Sequence, residues 1–394
     1  MSQVPLKIVY CTPSLYLTGG VERVLTLKAN YFAEHFGYDI TIILTDGKGK
    51  PFAYPLSEKI HIVNLDINFD ELWSCSFIRK VFVYLKKQRD YRRKLTKELM
   101  RIRPDITDTL LRREINFITK IKDGSKKIGE LHVNKANYRN FEANESNWFK
   151  ELFAKFWMHN LIGHLSQLDR FVVLTDEDKA SWYEIKNVMV IHNPLSFNVQ
   201  KISSHNTKRV IAVGRYTYQK GFDLLLRAWQ KVEKQCPDWE LAIFGDGDKT
   251  PYEKMAVDLG LDLRRCFLNS RTDKIREEYA KSSIYVLSSR FEGFGMVLVE
   301  AMACGLSVVS FACPCGPRDI IKNGVDGVLV DNGDVEQLTR QLILLMKDET
   351  KRQSISDAAI LNVQRFQLEQ IGEKWKNLFD DVVQDKNKNV LRYS

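Results

Sequence analysis

The sequence predicts an α/β fold made of two successive doubly wound units. Its 394 residues suffice for two or three domains of ordinary size. Short apolar segments alternate with amphipathic stretches, as in parallel sheets whose strands are joined by helices. The pattern restarts after a polar linker near 193–207. We therefore expect one domain over 1–195, a second over 196–368 and a terminal helix over 369–394. Ligands bind beyond the carboxyl ends of such strands, so two facing units would enclose a cleft.

In the first unit, strands are short apolar segments and helices have apolar residues three and four positions apart. Strands are predicted at 7–11, 39–44, 105–110, 127–132, 171–174 and 188–191. Helices are predicted at 20–35, 79–103 and 113–121.

The second unit repeats the alternation. Strands are predicted at 209–213, 240–244, 266–268, 284–287, 307–311 and 327–330. Helices are predicted at 223–234, 273–280, 296–304, 336–346 and 348–364. The terminal stretch places four apolar residues on one helical face, so it should pack against a core: Ile371, Trp375, Leu378 and Val382.

The composition is that of a globular chain. Hydrophobic residues make up 44% and charged residues 28%, which excludes an intrinsically disordered protein. No apolar run approaches the roughly 18 residues needed to cross a bilayer, and the first residues lack the pattern of a signal peptide. The seven cysteines are scattered, and only Cys313 and Cys315 are close, which is not a zinc-site spacing. We expect a cytoplasmic protein with free, buried thiols.

The net charge of +9 lies in one segment. Residues 79–103 hold eleven Lys and Arg against Asp90 and Glu98, so the rest of the chain is neutral. Apolar residues recur at helical spacing within it: Leu85, Tyr91, Leu95, Leu99 and Ile102. A basic amphipathic helix is either a solvated face or a surface that meets anionic lipid, and we favour the second. Nucleic acid is not an expected partner, because no binding module and no interleaved aromatic platform is present.

Paired glycines follow the first predicted strand, in Gly19-Gly20-Val21-Glu22-Arg23. Glycines allow a phosphate to approach the backbone, and the helix that follows offers free N–H groups. The alternative is a tight turn without a ligand. The spacing is not G-x-G-x-x-G, so a nicotinamide cofactor is not indicated.

A second loop, at the start of the second unit, contains Gly214-Arg215 and Lys220-Gly221. The two cations can reach one diphosphate, Arg215 through forked hydrogen bonds and Lys220 as a point charge. Two solvated loop cations are the alternative interpretation.

A third motif places two glutamates seven residues apart. Glu292 precedes a glycine-bounded turn, and Glu300 lies in an otherwise apolar helix. A carboxylate is costly to bury without a partner, and a ligand hydroxyl is a natural partner. Free N–H groups at Gly295, Met296 and Val297 suit a phosphate.

Together, the Gly-Gly turn, the G-R…K-G loop and the E-x7-E element resemble the retaining glycosyltransferases of family 4. The resemblance implies the GT-B fold, with two Rossmann-like domains facing across a cleft and a terminal helix that crosses back onto the first domain. It also implies transfer of a sugar from a nucleotide diphosphate with retained configuration, without a cofactor and without a metal.

The resemblance further assigns roles to residues. Seven residues should bind the donor diphosphate: Gly19, Gly20, Arg215, Lys220, Gly295, Met296 and Val297. Glu300 should bind the ribose, and Glu292 and Phe294 the transferred sugar. His132, at the end of the predicted strand 127–132, matches a histidine that lines the donor sugar site. His132 and Glu292 are thus the expected catalytic residues.

The segment 313–327 resembles a variant found in members that build capsules, exopolysaccharides and lipid-linked oligosaccharides. Cys315 and Asp319 stand where many members have Gly and Glu.

Asp246-Gly247-Asp248 would instead indicate a metal-dependent transferase, because an Asp-x-Asp can hold a divalent ion on a diphosphate. Turn chemistry favours a simple turn there.

The sequence therefore predicts a glycosyltransferase that uses a UDP-sugar carrying a hexose or N-acetylhexosamine. The expected acceptor is a glycan, such as a polyprenyl-diphosphate-linked sugar, at the inner face of an anionic membrane contacted through 79–103. The alternatives are a metal-dependent transferase using Asp246 and Asp248, and a non-catalytic α/β protein that binds anionic lipid or nucleic acid.

Overall fold

A computed structural model describes residues 5–74, 77–138, 148–198, 203 and 206–391. The chain forms two compact units. The first comprises three ranges, Met1–Leu174, Lys179–Pro194 and Leu368–Ser394. The second comprises Thr175–Asp178 and Leu195–Gln367.

Each unit is built on a parallel sheet. The first has β1 (Lys7–Thr12), β2 (Asp39–Leu44), β3 (His61–Asn64), β4 (Ile106–Thr109), β5 (Lys126–Glu130), β6 (Arg170–Val173) and β7 (Val188–Val190). The second has β8 (Arg209–Val213), β9 (Glu240–Gly245), β10 (Cys266–Ser270), β11 (Ile284–Leu287), β12 (Ser307–Phe311) and β13 (Val328–Val330). All pairs are parallel. The predicted α/β class is confirmed.

Helices connect the strands. In chain order they are α1 (Gly20–His35), α2 (Phe77–Ile102), α3 (Trp148–Leu165), α4 (Asp176–Ser181), α5 (Phe222–Gln235), α6 (Thr250–Asp258), α7 (Ile275–Ala280), α8 (Met296–Ala303), α9 (Pro317–Ile320), α10 (Val335–Lys347), α11 (Glu349–Val363) and α12 (Leu368–Leu391). Among the described residues, no helix combines the length and the apolarity needed to span a bilayer.

The strand order determines where loops diverge. It is β3-β2-β1-β4-β5-β6-β7 in the first unit and β10-β9-β8-β11-β12-β13 in the second. The order reverses between β1 and β4, and again between β8 and β11. Loops leave neighbouring strands in opposite directions at such a switch point and leave a crevice for a ligand. The Gly19-Gly20 turn follows β1, the Arg215 loop follows β8, and the Glu292 turn follows β11.

Alternation along β1 shows how the first sheet is buried on both faces. Ile8 and Tyr10 belong to one hydrophobic cluster, which contains residues of α1 and α12. Val9 and Cys11 belong to another, which contains residues of α2 and α3. A strand with period two supplies both clusters because successive side chains point to opposite faces. The near-continuous apolar run predicted at 7–11 reflects this double burial.

Helix α12 completes the core of the first unit. Trp375, Leu378 and Phe379 are each no more than 2% exposed. The ring of Phe379 packs edge-on against Phe32 of α1, with centroids 5.7 Å apart. A Cβ at Gly372 would lie 2.4 Å from the Tyr31 ring, so only glycine allows α12 to approach α1 this closely.

The structure differs from the sequence-based expectation in two ways: one predicted helix is wrong, and several elements were missed. The predicted helix over 113–121 is wrong, because this segment forms two 3-10 turns, Glu114–Asn116 and Ile118–Lys120. Glu114 accepts hydrogen bonds from the Thr109 hydroxyl and from the Arg112 amide, which ties the segment back to the end of β4. Five of the labelled elements were not predicted: β3, α3, α4, α6 and α9. The short, half-exposed β3 lacks a long apolar run.

We predict that Leu378→Ala lowers the free energy of unfolding by about 2–5 kcal/mol, since it leaves a cavity beneath α12. Leu361→Ala is the matched control, because Leu361 is 75% exposed on α11; it should cost less than about 0.5 kcal/mol. Urea unfolding of the full chain, followed by tryptophan fluorescence, measures both. Equal effects would show that α12 is not part of the core.

Candidate active site

The loop after β8 is shaped by two glycines. A Cβ at Gly214 would lie 2.9 Å from Cδ of Lys220, so the lysine stem lies directly over this glycine. Gly221 has φ +61°, and a Cβ there would lie 2.0 Å from the carbonyl oxygen of Ser288. The Ser288 hydroxyl in turn donates to the Lys220 carbonyl, at 2.9 Å. The loop is thereby held against the end of β11.

A second contact strengthens this attachment. Arg290, just after β11, makes a two-pronged ion pair with Asp223 in the first turn of α5, at 2.8 and 2.7 Å. It also donates to the Tyr218 carbonyl, at 2.7 Å. The guanidinium outweighs the effect of burial and lowers the pKa of Asp223. Arg290 is therefore a structural cation of this loop pair.

Lys220 and Glu292 meet at the switch point of the second sheet. Nζ of Lys220 lies 2.6 Å from Oε1 of Glu292, and the two side chains are 13% and 8% exposed. The Ser289 hydroxyl donates to the same carboxylate oxygen, at 2.6 Å. Arg215, by contrast, is exposed and has no ion pair with a described residue. Lys220 is thus held in place by its ion pair, whereas the exposed Arg215 is free to reach a ligand.

Glu300 is buried in α8, at 2% exposure. The Ser196 hydroxyl donates to its Oε1 at 3.0 Å. Ser196 lies in the segment that leads into the second unit, so the helix and this segment meet at the carboxylate. The predicted cost of burying Glu300 is offset by this hydrogen bond.

The amino terminus of α8 faces the same turn. Gly295 is the N-cap residue, with φ 100°, and no described side chain caps the helix. The first amides of a helix have no intrahelical acceptor, so those of Met296 and Val297 are available to an anion. The ring of Phe294 packs edge-on against Phe366, 5.5 Å away, and is 3% exposed. Because the ring is buried, only the backbone of Phe294 is available to contact a sugar.

The segment after β12 lies against the Glu292 turn. The Glu292 amide donates to the Pro314 carbonyl at 2.7 Å, and the Cys315 amide donates to the Glu292 carbonyl at 3.1 Å. A Cβ at Gly316 would lie 1.8 Å from the Phe294 carbonyl oxygen. Asp319 accepts from the Asp176 amide, at 2.6 Å.

The cysteines are packing residues. The six described cysteines are buried and unpaired. Burial raises the pKa of the Cys313 and Cys315 thiols, to about 12 for Cys315. These thiols are therefore not nucleophiles, and the expectation of free, buried cysteines is confirmed for the described ones.

Asp246 and Asp248 make local turn contacts. Asp246 accepts from the Gly247 amide at 2.8 Å, and Asp248 from the Thr250 amide at 3.0 Å. The hydrogen bonds from Thr250 lower the pKa of Asp248. Within the described part of the chain, no three His, Cys, Asp or Glu side chains are grouped so that they could hold a metal ion.

In the first unit, the Gly19-Gly20 turn opens α1. Gly19 is the N-cap, and no described side chain caps the helix. A Cβ at Gly19 would lie 2.1 Å from Oε2 of Glu22, whereas a Cβ at Gly20 would meet open space. Gly19 thus admits the Glu22 side chain, and Gly20 leaves its face of the turn clear for a ligand.

His132 follows β5 and belongs to a buried ionic cluster. Its Nε2 lies 3.2 Å from Oε2 of Glu130. Nζ of Lys28 bridges both carboxylate oxygens of Glu130, at 2.6 and 2.5 Å. The Lys28 ammonium also lies 3.9 Å from the centre of the Trp375 ring. The cluster therefore links α1, α12 and β5 to the predicted catalytic histidine.

The pKa values of two neighbouring buried carboxyls, Glu130 and Asp108, are shifted in opposite directions. Burial alone would raise the pKa of Glu130, but Lys28 and His132 outweigh it and lower that pKa to about 2. Burial and the charge of Glu130 together raise the pKa of Asp108, on neighbouring β4, well above its usual range. Burial and the charge of Glu130 thus favour the neutral form of Asp108, and Lys28 favours the ionised form of Glu130.

Lys28, Glu130, Ser196 and Ser289 are among the residues of these arrangements that were not predicted. Lys28 had a signal in the sequence, because it stands three positions after Leu25 and four before Phe32, on an apolar helical face. A lysine on an apolar face requires a buried partner. Glu130 lies 102 positions away, so the sequence does not indicate which carboxylate fills that role.

Residues 197–361 match the family described as glycosyl transferases group 1. The matched range covers 165 of the 394 residues and lies within the second unit. This range contains Arg215, Lys220, Glu292 and Glu300, so the arrangement at the second switch point is the part of the chain that the family shares.

Several proteins similar to this chain are bacterial. A glycosyltransferase of Haemophilus influenzae is 29% identical over 94% of this chain and 99% of its own. The amylovoran biosynthesis glycosyltransferase AmsD of Erwinia amylovora is 35% identical, over 54% of this chain and 62% of its own. A Campylobacter jejuni α-1,4-N-acetyl-D-galactosaminyltransferase is 26% identical over 93% and 96%; its name gives an undecaprenol-diphosphate-linked glycan as acceptor.

Solved structures establish the GT-B fold. Sucrose-phosphate synthase of Thermosynechococcus elongatus superposes with a TM-score of 0.77 at 15% identity, covering 96% of this chain and 99% of that one. HepE of Anabaena, in complex with UDP and glucose, superposes with a TM-score of 0.69 at 17% identity, covering 95% and 100%. The predicted fold of the glycosyltransferase is confirmed.

We predict that Glu130→Gln and Asp108→Asn differ in stability. Glu130→Gln leaves the Lys28 ammonium buried without a counter-charge and should cost about 3–5 kcal/mol at pH 7. Asp108→Asn replaces a carboxyl already held neutral and should cost less than about 1 kcal/mol. Urea unfolding of the full chain measures both.

The pH dependence gives a second measurement. The pKa of Glu130 is lower in the folded than in the unfolded chain, so its stabilisation is present at neutral pH and lost as the pH falls toward about 2. Glu130→Gln should remove this acid-dependent loss. Equal destabilisation by the two variants at pH 7 would contradict the charge assignment.

Proposed function

We propose that the chain is a retaining glycosyltransferase that moves a hexose or N-acetylhexosamine from a UDP-sugar to a lipid-linked glycan in cell-surface polysaccharide synthesis. The observation that carries this proposal is the meeting of Lys220 and Glu292 beside the uncapped amino terminus of α8. A cation, free amides and a hydroxyl-binding carboxylate at one switch point suit a sugar attached to a diphosphate. The names of the bacterial relatives support the acceptor class.

In the proposed mechanism, Lys220 breaks its ion pair with Glu292 and binds the donor diphosphate instead. Arg215, exposed on the same loop, closes onto that diphosphate, and the amides of Met296 and Val297 add their dipoles. Together they stabilise the negative charge that grows on the diphosphate as the glycosidic bond breaks, and stabilisation of this kind commonly contributes most to the rate enhancement of an enzyme. The loop cations take the place of a metal ion in this role.

Glu292, released from Lys220, accepts hydrogen bonds from the hydroxyls of the transferred sugar. Glu300 accepts from the ribose, with Ser196 on its other side. His132 is assigned to the sugar through the family resemblance, and its ring lies beside the Lys28–Glu130 pair. The departing diphosphate takes the proton of the incoming hydroxyl, so no separate strong base is required.

We predict that the protein hydrolyses a UDP-sugar slowly without acceptor, and that EDTA leaves this release unchanged. UDP-, GDP- and ADP-sugars should be compared. Lys220→Ala and Arg215→Ala should each lower the rate about 100-fold or more. Lys231→Ala is the control, because Lys231 is an exposed lysine of α5 paired with Glu336.

Near-normal hydrolysis by either site variant would exclude the assigned diphosphate site. Strict dependence on Mn²⁺ would instead favour the metal-dependent alternative through Asp246 and Asp248. Absence of any nucleotide binding would favour a binding protein without catalysis.

We also propose that α2 rests on an anionic membrane surface. Its outward residues mix apolar and basic side chains: Phe82 and Leu85 are 72% and 59% exposed, and Lys86 and Lys97 are exposed nearby. Such a face suits the boundary between headgroups and acyl chains. The side chain of Arg101 is also 62% exposed.

Not every cation of the basic helix is available to the membrane. Nζ of Lys87 donates to the carbonyls of Ile67 and Asn68, at 2.5 and 2.9 Å. Nζ of Lys94 donates to the Leu65 carbonyl, at 2.6 Å. These two lysines fasten α2 to the segment after β3, so only part of the sequence-derived charge faces outward.

We predict that vesicles with anionic lipid sediment the protein at low salt and that neutral vesicles do not. Replacing Phe82 and Leu85 with Ser, and Lys86 and Lys97 with Gln, should reduce sedimentation at least about tenfold, at roughly 1 kcal/mol per basic residue. The control variant carries the same changes on exposed residues of the second unit: Val257→Ser, Leu361→Ser, Arg227→Gln and Lys234→Gln. Normal binding by the α2 variant would refute this contact.

A further inference from the structure

A groove of about 690 Å³ runs between α2 and the segment that precedes β5 in the first unit. One wall is formed by α2 and the other by residues 120–122. Its lining is mostly basic: Arg89, Asp90, Arg92, Arg93, Thr96, Met100, Lys120, Ile121 and Lys122. The basic helix was evident in the sequence, but the second basic wall was not.

The cations of the groove converge from both walls. Arg89, Arg92 and Arg93 are three and four positions apart on α2, so they share one helical face. Lys120 and Lys122 oppose them, and all five side chains are exposed. Arg93 is paired with Asp90, at 3.3 Å. The other four have no ion pair with any described residue.

Nearby acidic side chains are already paired elsewhere. Asp123 binds Lys127 at 2.5 Å, and Asp169 binds Lys126 at 2.9 Å. Glu98 binds Arg101, at 2.8 Å. The uncompensated cations therefore repel one another across the groove, and a bound anion would relieve that repulsion.

A second groove of about 430 Å³ continues from the first and shares Ile121 and Lys122 with it. Its lining includes uncharged polar side chains, namely Thr119, Ser125 and Gln167. Thr119 donates to the amide oxygen of Gln167 at 3.1 Å, which leaves the Gln167 NH₂ group available to an acceptor in the groove. Hydroxyl and amide side chains of this kind bind sugar hydroxyls.

We infer that the two grooves form one binding surface for an anionic glycan, a saccharide chain that carries phosphate or carboxylate groups. The basic groove holds the anionic groups, and the polar groove holds hydroxyls of the adjoining sugar. A membrane fits this surface less well, because the surface is concave and its polar half offers no exposed apolar side chain for insertion.

The position of the surface gives it a distinct role. It lies at the start of β5, whereas His132 lies beyond the end of that strand. Five residues of strand span roughly 17 Å. The surface therefore grips a part of the glycan remote from the reacting end. This role as an acceptor-holding site rests on the proposed function, but the binding itself does not require transfer.

The experiment measures binding of fluorescent oligogalacturonate, with a malto-oligosaccharide of equal length as the neutral probe. The groove variant is Arg89→Gln, Arg92→Gln, Lys120→Gln and Lys122→Gln in the full chain. It should bind oligogalacturonate at least about tenfold more weakly than the wild type, and the wild-type affinity should fall with salt. The malto-oligosaccharide should bind weakly to both.

A matched control removes four exposed cations from the second unit: Arg227→Gln, Lys234→Gln, Lys254→Gln and Arg340→Gln. It should retain the wild-type affinity. Gln167→Ala should weaken oligogalacturonate binding and leave binding of inorganic pyrophosphate unchanged. Gln167→Ala therefore distinguishes binding through the polar groove from attraction by charge alone.

Three results would overturn the inference. Unchanged affinity in the groove variant would show that the glycan binds elsewhere, and equal losses in both quadruple variants would show non-specific attraction. If the groove variant no longer binds anionic vesicles but still binds oligogalacturonate, the surface is part of the membrane contact. Donor hydrolysis is measured on the same samples: its absence in the wild type overturns the proposed function without affecting the binding result.

Discussion

The hydrogen-bonded ion pair between Lys220 and Glu292 connects two loops of the second sheet, one after β8 and one after β11. Each partner is fixed by contacts that tolerate little change. Lys220 lies over Gly214, which has no side chain to displace it, and Glu292 also receives the Ser289 hydroxyl. The strand order reverses at this point, and these side chains, together with the Arg290–Asp223 pair and the Ser288 hydroxyl, join the two loops. The geometry of α8 and of the segment after β12 follows from that junction.

The two units use buried charge differently. In the second unit, the Lys220–Glu292 pair keeps some exposure, so either partner can exchange the other for a ligand. In the first unit, the Lys28–Glu130 pair is 2% exposed on both sides and is covered by Trp375. Breaking it would leave a charge without water, which is costly. The partly exposed Lys220–Glu292 pair is suited to binding, and the buried Lys28–Glu130 pair lies beside His132 inside the first unit.

The sequence was most informative where a local pattern determines the structure. Short apolar runs identified both central strands, β1 and β8, and glycines followed by a helix identified the turns after them. It was least informative where the partner lies far along the chain. Lys28 and Glu130 are one example, and the wall formed by Lys120 and Lys122 is another. The helix expected over 113–121 failed because Glu114 bonds back to Thr109 and Arg112, a tertiary constraint that periodicity does not contain.

The return of α12 to the first unit has a consequence for biosynthesis. The first 194 residues leave the ribosome well before Trp375, Leu378 and Phe379, which fill one face of their sheet. During translation of the second unit, that face lacks its cover, and the Lys28 ammonium lacks the ring above it. The second unit is continuous in sequence from Leu195 and can complete its own core earlier. The domain that begins first is therefore finished last, and the nascent chain carries an open apolar surface while the second unit is synthesised.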